Sequence, residues 1–392
     1  MVRKVLRSIF ILLLLVPIVS WIVWLLSPVH PLRVLIVDKT SLTSEGREHR
    51  AFNWLLTYER YLKPDGLAYS VEQDHAGFIP LADGAYAIRG PERVPDERID
   101  SLSGRYDMTY YTDTYGVERQ DWAAEHPSVG QGGRGLLYGG LQRKDLLFLE
   151  AMKRQGKLII AEFNFFADPT TDSVRSAAER DFGLHWTGWT GRYVEQLDTT
   201  GNDELPPWLV HAVVKQQGRW RYHGPGVVFV HQSGRVAILR YPHDLSRPMP
   251  SVETTDHDQR HFGIPGSIGY PYWFDVTLAD SAHTVISYYI LTPTASGDSV
   301  LHANGIPRIF PAVVEQRERY RFYYFAGDFA DAPILNTFWA HFKGMVWLRD
   351  QLVERSDETD RRVFYWNYYY PLVRTILQEH QAEASRVSPG RR

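Results

Sequence analysis

The chain of 392 residues contains no cysteine. Disulfides, cysteine-ligated zinc, iron–sulfur clusters and cysteine nucleophiles are therefore excluded. The chain also lacks an excess of positive charge, because 43 Lys and Arg residues stand against 46 Asp and Glu residues, for a formal net charge of -3. A nucleic acid is not expected as a partner, since binding to its phosphates requires a basic surface.

Common catalytic motifs are missing as well. The glycine-rich segment Gly130–Gly135 lacks the Gly-Lys-Ser/Thr ending of a phosphate loop, so we interpret it as a mobile loop over a crevice. The sequence has neither a G-x-S-x-G elbow nor an H-E-x-x-H zinc motif. His257 and His261 belong to the one dense cluster of His and Asp, which we interpret as a solvated polar loop, with a metal site as the alternative. No cofactor and no metal are predicted.

One long apolar run is present, the eighteen uncharged residues Ile9–Leu26. As a helix it would be about 27 Å long, which is enough to cross the hydrocarbon core of a membrane. Arg3, Lys4 and Arg7 precede it, so the positive-inside rule predicts a cytoplasmic N-terminus and an extracytoplasmic, periplasmic remainder. A cleaved signal peptide is the alternative, although no A-x-A-like cleavage site follows the run.

Strand and helix patterns alternate in the next part of the chain. Strands are predicted at 32–38, 106–113 and 157–162, and helices at 44–62, 142–155 and 169–181. This order favours an α/β fold with a parallel sheet covered on both faces. The later predictions are a hairpin in 220–241, loops over 242–282, strands at 283–291 and 321–325, and aromatic helices over 333–383.

We therefore expect three segments. Residues 1–30 would form a cytoplasmic stub and transmembrane anchor, and residues 31–335 an α/β domain with a β-rich insertion around 205–282. Residues 336–392 would form a C-terminal helical segment and tail, whose aromatic residues, with tyrosines in 365–370, are a candidate partner surface.

Polar residues end three of the predicted strands. In open α/β sheets, ligands bind at the carboxyl ends of the parallel strands, so these residues should meet in one crevice. The predicted crevice residues are Asp38, Lys39, Asp113, Tyr115, Glu162 and Asn164. Asp113 and Glu162 are the predicted catalytic pair, because sugar hydrolysis uses two carboxyl groups as acid and base or as acid and nucleophile.

Structural alternatives exist for the same residues. Asp38 could cap a turn, Asp113 could hold a loop, and Glu162 could form a salt bridge with Arg192 or Lys39. Asp328, which also ends a strand, is interpreted as a cap of the following turn, with a third site carboxylate as the alternative.

The segment His185–Tyr193 combines two glycines with aromatic residues. It predicts a bent loop in which Trp189 and Tyr193 stack on a sugar and Arg192 binds a carboxylate. A packed corner is the alternative.

Two segments carry a family resemblance. LIIAEFNFFADPTTDSVRSAAERDFGL, at 158–184, resembles the nucleophile-elbow region of the class I glutamine amidotransferase-like superfamily. Tyr320–Asp328 is similar to a late strand of such domains in carbohydrate-related proteins. The resemblance covers residues 32–200 and 285–330, and it implies a flavodoxin-like α/β fold. The family places its cysteine in the elbow, and this chain has none, so glutamine amidotransfer is not implied.

Together these features predict a single-pass membrane protein whose extracytoplasmic domain binds or processes a glycan of the cell envelope. The alternative is a non-catalytic scaffold that binds a protein partner in an envelope assembly. Whether the chain is an enzyme is left open by the sequence.

Overall fold

The computed structural model describes residues 15–127, 135–200, 202, 204–334, 336–352 and 356–387. The apolar run Ile9–Leu26 lies partly outside the described residues, and so does nearly all of the glycine-rich segment Gly130–Gly135. Within the described part of the chain, no helix combines the length and apolar character needed to cross a bilayer.

Eighteen strands and twelve α-helices, together with short 3-10 helices, make up the regular structure of the described residues. In chain order the strands are β1 (His30–Pro31), β2 (Val34–Asp38), β3 (Tyr61–Leu62), β4 (His75–Pro80), β5 (Tyr86–Arg89), β6 (Met108–Asp113), β7 (Val117–Glu118), β8 (Leu136–Tyr138), β9 (Leu158–Ala161), β10 (Leu184–Val194), β11 (Gly226–His231), β12 (Val236–Arg240), β13 (Ser251–Thr254), β14 (Ser267–Gly269), β15 (Trp273–Ala279), β16 (Thr284–Ile290), β17 (Ile309–Gln316) and β18 (Arg321–Phe325).

The helices are α1 (15–26), α2 (Arg47–Tyr58), α3 (Ile99–Ser103), α4 (Arg119–Glu125), α5 (Arg143–Arg154), α6 (Asp172–Phe182), α7 (Pro207–Gln217), α8 (Asp256–Phe262), α9 (Ala295–Asn304), α10 (Met345–Leu352), α11 (Arg361–Phe364) and α12 (Tyr370–Val387). A π-helical stretch, Tyr365–Tyr369, joins α11 to α12.

A ten-stranded sheet forms the centre of the fold, in the order β14-β13-β16-β17-β18-β9-β6-β2-β4-β5. Its five middle strands, from β18 to β4, are parallel, and antiparallel strands extend it on both sides. The middle strands are buried on both faces, which explains why β2 and β9 are continuous apolar runs. The predicted α/β sheet and the predicted alternation of strands and helices are thus confirmed over the first half of the chain.

A second, antiparallel sheet has the order β12-β11-β10-β15. It meets the large sheet where β15 passes the end of β18, since Asp275 N donates to Ala326 O at 3.0 Å and Phe274 forms a bridge with Gly327. The predicted hairpin corresponds to β11 and β12. The predicted loop over 242–282 is wrong, because this stretch supplies β13 and β14 to the large sheet, β15 to the small one, and the short helix α8.

The tyrosines of the π-helical stretch are part of the core. Tyr365, Tyr368 and Tyr369 are fully buried, and their hydroxyl groups find partners inside the fold. Tyr365 donates to Ala51 O at 2.9 Å, and Tyr368 donates to Ser287 Oγ at 2.5 Å. The expectation that these tyrosines form a partner surface is therefore wrong, because the large sheet and α2 already cover them.

Helix α1 contacts the domain near its end. Trp24 is buried, and its indole N–H donates to Thr57 O at 3.0 Å. Arg60 donates to the carbonyl oxygens of Trp24 and Ser27 at 2.9 and 2.8 Å, which satisfies acceptors that the end of a helix leaves open. Ser20 Oγ donates to Lys343 O at 2.5 Å, so the residues before α10 pack beside α1.

Candidate functional site

A crevice of about 520 Å³ lies between the carboxyl ends of the parallel strands and the small sheet. Thr40, Asp113, Asn164 and Asp328 line it from the ends of β2, β6, β9 and β18. This is the edge of the sheet that the sequence predicts and the place where α/β sheets bind ligands. Among the described residues the lining carboxyl groups are those of Glu48, Asp113, Asp168, Asp328 and Asp331, and the lining aromatic rings are those of Tyr115, Phe163, Trp186, Trp208, Tyr272 and Trp273.

Asn164 occupies the turn after β9 with φ of 62°, in the left-handed region that residues other than glycine seldom adopt. Its backbone N–H donates to Asp275 Oδ2 at 2.8 Å, and its side-chain amide donates to Asp113 Oδ1 at 3.2 Å. Asp275 also accepts from Thr190 at 3.1 Å and from Tyr324 at 3.1 Å. Two sheets thus hold the turn, and the turn holds the carboxyl group of Asp113.

Asp113 is the best-placed acid of the predicted set. It lines the crevice while remaining 5% exposed, and its Oδ1 also accepts from Tyr115 N at 2.7 Å. Burial raises the pKa of Asp113 to about 7 against the opposing hydrogen bonds from Tyr115 and Asn164, and the charge of Asp38 adds to the rise. A carboxyl group with such a pKa exchanges protons readily at neutral pH, which is what general acid–base chemistry requires.

Asp38 is the cap of a buried turn. Its Oδ1 accepts from Thr40 N at 2.9 Å, and its Oδ2 accepts from Ser41 Oγ at 2.6 Å and faces His49 Nδ1 at 2.7 Å. Burial alone favours the neutral acid, but the hydrogen bond and charge of His49 outweigh it and lower the pKa of Asp38 to about 2. Asp38 is fully buried and does not line the crevice, so its structural interpretation agrees with the geometry.

Lys39 is likewise enclosed. Its ammonium group lies 2.6 Å from Asp145 Oδ2 and donates to Gly140 O at 3.0 Å, and both charged side chains are inaccessible to solvent. The predicted binding role of Lys39 is not supported by this placement, because the charge already has its partner away from the crevice.

Glu162, the second predicted catalytic residue, is also sealed inside the protein. Tyr110 donates to its Oε1, and Ala330 N donates to its Oε2 at 3.1 Å. Burial raises the pKa of Glu162 well above its usual range. The structure separates Glu162 from the crevice that Asp113 lines, and it forms no salt bridge with Arg192 or Lys39 among the described residues.

The predicted loop at 185–193 is the long strand β10. Side chains alternate between the faces of a strand, so Thr190 and Arg192 share one face, and Trp189 and Tyr193 point to the other. Trp189 is buried, and its indole N–H donates to Asn304 O at 3.2 Å. Arg192 faces Glu204 Oε1 at 2.9 Å. The structure therefore supports the packed-corner alternative for Trp189, and the guanidinium group of Arg192 is already paired.

Asn164 and Tyr115, by contrast, line the crevice as predicted, and Tyr115 is 46% exposed. Trp186, one of the two tryptophans of the segment His185–Tyr193, also lines the crevice. Several other lining residues were missed by sequence reasoning: Glu48, Asp331, Trp208, Tyr272 and Trp273. They come from α2, α7, the start of β15 with the residue before it, and the loop after β18, which the fold brings together from distant parts of the chain. The one detectable sequence feature was the high aromatic content.

Asp328 does not cap the turn that follows β18. Its side chain lines the crevice at 7% exposure, and among the described residues none donates a hydrogen bond to its Oδ1. The interpretation as a cap is wrong, and the alternative of an additional site carboxylate agrees with the geometry.

His257 and His261 lie on α8, not in a loop. Their rings are stacked with centroids 6.1 Å apart, and His261 Nε2 lies 2.8 Å from Glu379 Oε1. Among the described residues, no group of three His, Asp or Glu side chains is arranged to hold a metal ion.

No protein-family model and no curated protein matches the sequence. Solved structures of two bacterial proteins described as ThuA-like, which have the glutamine amidotransferase-like fold, show a distant likeness. The protein from Bacteroides uniformis is 12% identical with a TM-score of 0.32, over 77% of this chain and 84% of that chain. The protein from Parabacteroides merdae is 11% identical with a TM-score of 0.33, over 76% and 79%. The family resemblance of this chain stays a prediction.

Proposed function

We propose that this chain is a membrane-anchored extracytoplasmic protein that binds and processes a glycan of the cell envelope in the crevice, with Asp113 transferring the proton. The observation that carries the proposal is the combination of a carboxyl group of pKa about 7 with a wall of aromatic rings in one 520 Å³ cavity. Glutamine amidotransfer is not part of the proposal, since the chain has no cysteine.

The aromatic wall supports a sugar ligand. Trp208 is 52% exposed and Trp186 is partly exposed, and flat indole faces that remain open to solvent are suited to stack on the apolar faces of pyranose rings. Thr40, Asn164 and Gln232 line the same cavity and provide short polar groups for ring hydroxyls. The cavity volume falls within the range of ordinary small-molecule sites, so it holds one or two sugar units.

Asp113 supports a chemical step. Its environment keeps a large fraction of the group protonated at neutral pH, and it can donate that proton to a leaving oxygen. The predicted partner Glu162 is enclosed, so the second carboxyl group for such chemistry would come from the crevice wall, where Glu48, Asp328 and Asp331 are available.

The membrane anchor rests on the run Ile9–Leu26 and its flanking charges. Helix α1 also leaves apolar side chains open to solvent, such as Val16 at 56% and Val19 at 55% exposure. Lipid would cover these residues and the exposed aromatic residues next to the helix, Phe338, Trp339 and Trp347.

The test uses the full chain in lipid nanodiscs and oligosaccharides prepared from cell-envelope glycans, with calorimetry for binding and product analysis for turnover. Trp208→Ala should weaken binding by about tenfold or more, because it removes a stacking face. Trp347→Ala, which removes another exposed tryptophan away from the crevice, is the matched control. Asp113→Asn should keep binding and abolish turnover. Unchanged binding in Trp208→Ala together with unchanged turnover in Asp113→Asn would refute the proposal.

A further inference from the structure

The carboxyl group of Asp328, whose buried Oδ1 has no hydrogen-bond partner among the described residues, indicates what kind of ligand enters the crevice. It is nine-tenths buried, it lines the cavity, and no described residue donates to its Oδ1. Its backbone N–H is bound to Trp273 O at 3.1 Å, which fixes the residue at the rim of β18 without satisfying the side chain. A buried acceptor without a donor costs free energy, and a ligand that brings the donor recovers it.

The charged side chains that line the cavity with Asp328 are acidic. Glu48, Asp113 and Asp331 line the same cavity, whereas among the described residues no Lys or Arg side chain lines it. Within the described part of the chain His231 is the one lining base, and burial and the charge of Arg235 lower its pKa, which leaves it neutral at pH 7.

Two arginines beside the crevice already have ion-pair partners. Arg361 donates to Asp331 O at 2.9 Å and lies 3.3 Å from Asp331 Oδ2, with its guanidinium group 3.9 Å from the centre of the Tyr272 ring. Arg192 is paired with Glu204. Asp113 and Asp328 therefore form no ion pair with a Lys or Arg side chain among the described residues, although the charge of Arg361, which pairs with Asp331, also acts on Asp328.

The ionised forms of these carboxyl groups would repel an anionic ligand, and a neutral ligand would not stabilise them. An ammonium group supplies three donors and a positive charge in one small volume. The face of Trp208 is open on the same cavity, and indole faces attract cations.

We propose that the ligand is a glycan with a free amino group, a non-acetylated amino sugar, whose ammonium group binds the carboxyl group of Asp328 beside Asp113. This inference rests on the proposed function and narrows its substrate class. Burial, with the neighbouring charges of Asp331 and Asp113, raises the pKa of Asp328 well above its usual range, and a bound ammonium group would offset that repulsion.

The experiment compares two probes with the same backbone, oligomers of glucosamine and oligomers of N-acetylglucosamine, by calorimetry on the full chain in nanodiscs. The glucosamine oligomer should bind tighter by about tenfold or more, the contribution of one charge-assisted hydrogen bond. Asp328→Asn should abolish this preference, because it removes the charge that the ammonium group binds. Asp83→Asn, which removes the same charge from an exposed turn, is the control and should keep the preference.

The outcomes separate the two proposals. Equal binding of both oligomers, or tighter binding of the acetylated one, overturns the amine inference and leaves glycan binding in place. A preference for glucosamine that survives in Asp328→Asn overturns the assignment to Asp328. Binding of neither oligomer, when other envelope oligosaccharides bind, overturns the amine inference alone, and binding of no oligosaccharide overturns both.

Discussion

The side-chain amide of Asn164 donates a hydrogen bond to Asp113 at 3.2 Å, and this contact links the carboxyl ends of two neighbouring parallel strands. Asn164 makes the contact from a left-handed backbone conformation, with φ of 62°. The turn after β9 therefore stores strain at the place where the candidate acid is oriented, a combination that is common at functional sites.

Two substitutions at Asn164 separate the strain from the hydrogen bond. Asn164→Gly and Asn164→Ala both lose the bond to Asp113, but only glycine adopts positive φ without a steric cost. We expect Asn164→Ala to have a lower free energy of unfolding than Asn164→Gly by about 1 kcal/mol, measured by urea denaturation of the solubilised chain. Equal stability of the two variants would show that the backbone conformation is not strained.

The raised pKa of Asp113 predicts a pH dependence of stability. The ordinary pKa of this carboxyl group is 3.8 and the value in the fold is about 7, so between these values the unfolded chain has lost the proton that the folded chain keeps. Stability contributed by this group must then fall as the pH rises from about 4 to 7, and it must be constant above about 7.

Asp113→Asn removes that titration. We compare the free energy of unfolding of the unsubstituted chain with that of Asp113→Asn. The difference between the two should fall between pH 4 and 7, by on the order of a few kcal/mol, and then stay constant. Denaturation curves at a series of pH values measure it, and Asp83→Asn provides a control with the same change in charge. A difference that stays constant over this interval would mean that the pKa of Asp113 is not raised in the fold.

Sequence reasoning succeeded for the parallel strands because β2, β6 and β9 are buried apolar segments that end in polar residues. It failed for β10, where two glycines and alternating polar residues resemble a loop, although the alternation is that of a strand paired on both sides. It could not decide which strand-end residues face the crevice. Asp38 and Glu162 lie at strand ends, as Asp113 does, but both are buried away from the crevice. There Asp38 contacts His49, and Glu162 accepts a hydrogen bond from Tyr110.

The aromatic residues of this chain have two different roles, and amino-acid composition does not distinguish them. Trp208 and Tyr115 are exposed on the crevice, whereas Tyr365 and Tyr369 fill the core with their hydroxyl groups bonded. Whether an aromatic residue is exposed or buried depends on tertiary contacts between distant residues, such as Tyr110 and Tyr369, which are more than 250 residues apart in the chain.

The buried pair of Lys39 and Asp145 is expected to be structural. Lys39→Met would leave the carboxylate of Asp145 buried without its cation, and removal of one partner of such a pair costs about 3–5 kcal/mol. Lys63→Met is the matched control, since Lys63 pairs with Asp74 at 2.9 Å in a partly exposed position, where the expected cost is at most about 1 kcal/mol. Urea denaturation measures both, and similar costs for the two variants would contradict the assignment.

The aromatic residues beside α1 should lie at the membrane surface if residues 9–26 cross the bilayer. Trp347 is 68% exposed and Phe338 is 59% exposed, and the segment that carries them is tied to α1, because Ser20 bonds to Lys343 and the rings of Trp24 and His341 are 4.6 Å apart. Exposed Trp and Phe side chains next to an apolar helix are typical of the interfacial belt of membrane proteins.

The absence of cysteine makes a direct measurement practical, since a single introduced cysteine can carry a nitroxide label without competing sites. In nanodiscs, a label at Trp347→Cys should be shielded from a water-soluble nickel complex and accessible to oxygen, because oxygen concentrates in lipid. A label at Trp208→Cys, also at an exposed tryptophan but on the crevice, should show the reverse. If the two labels respond alike to nickel and oxygen, the segment around Trp347 does not contact lipid, and the proposed place of this segment at the membrane surface is wrong.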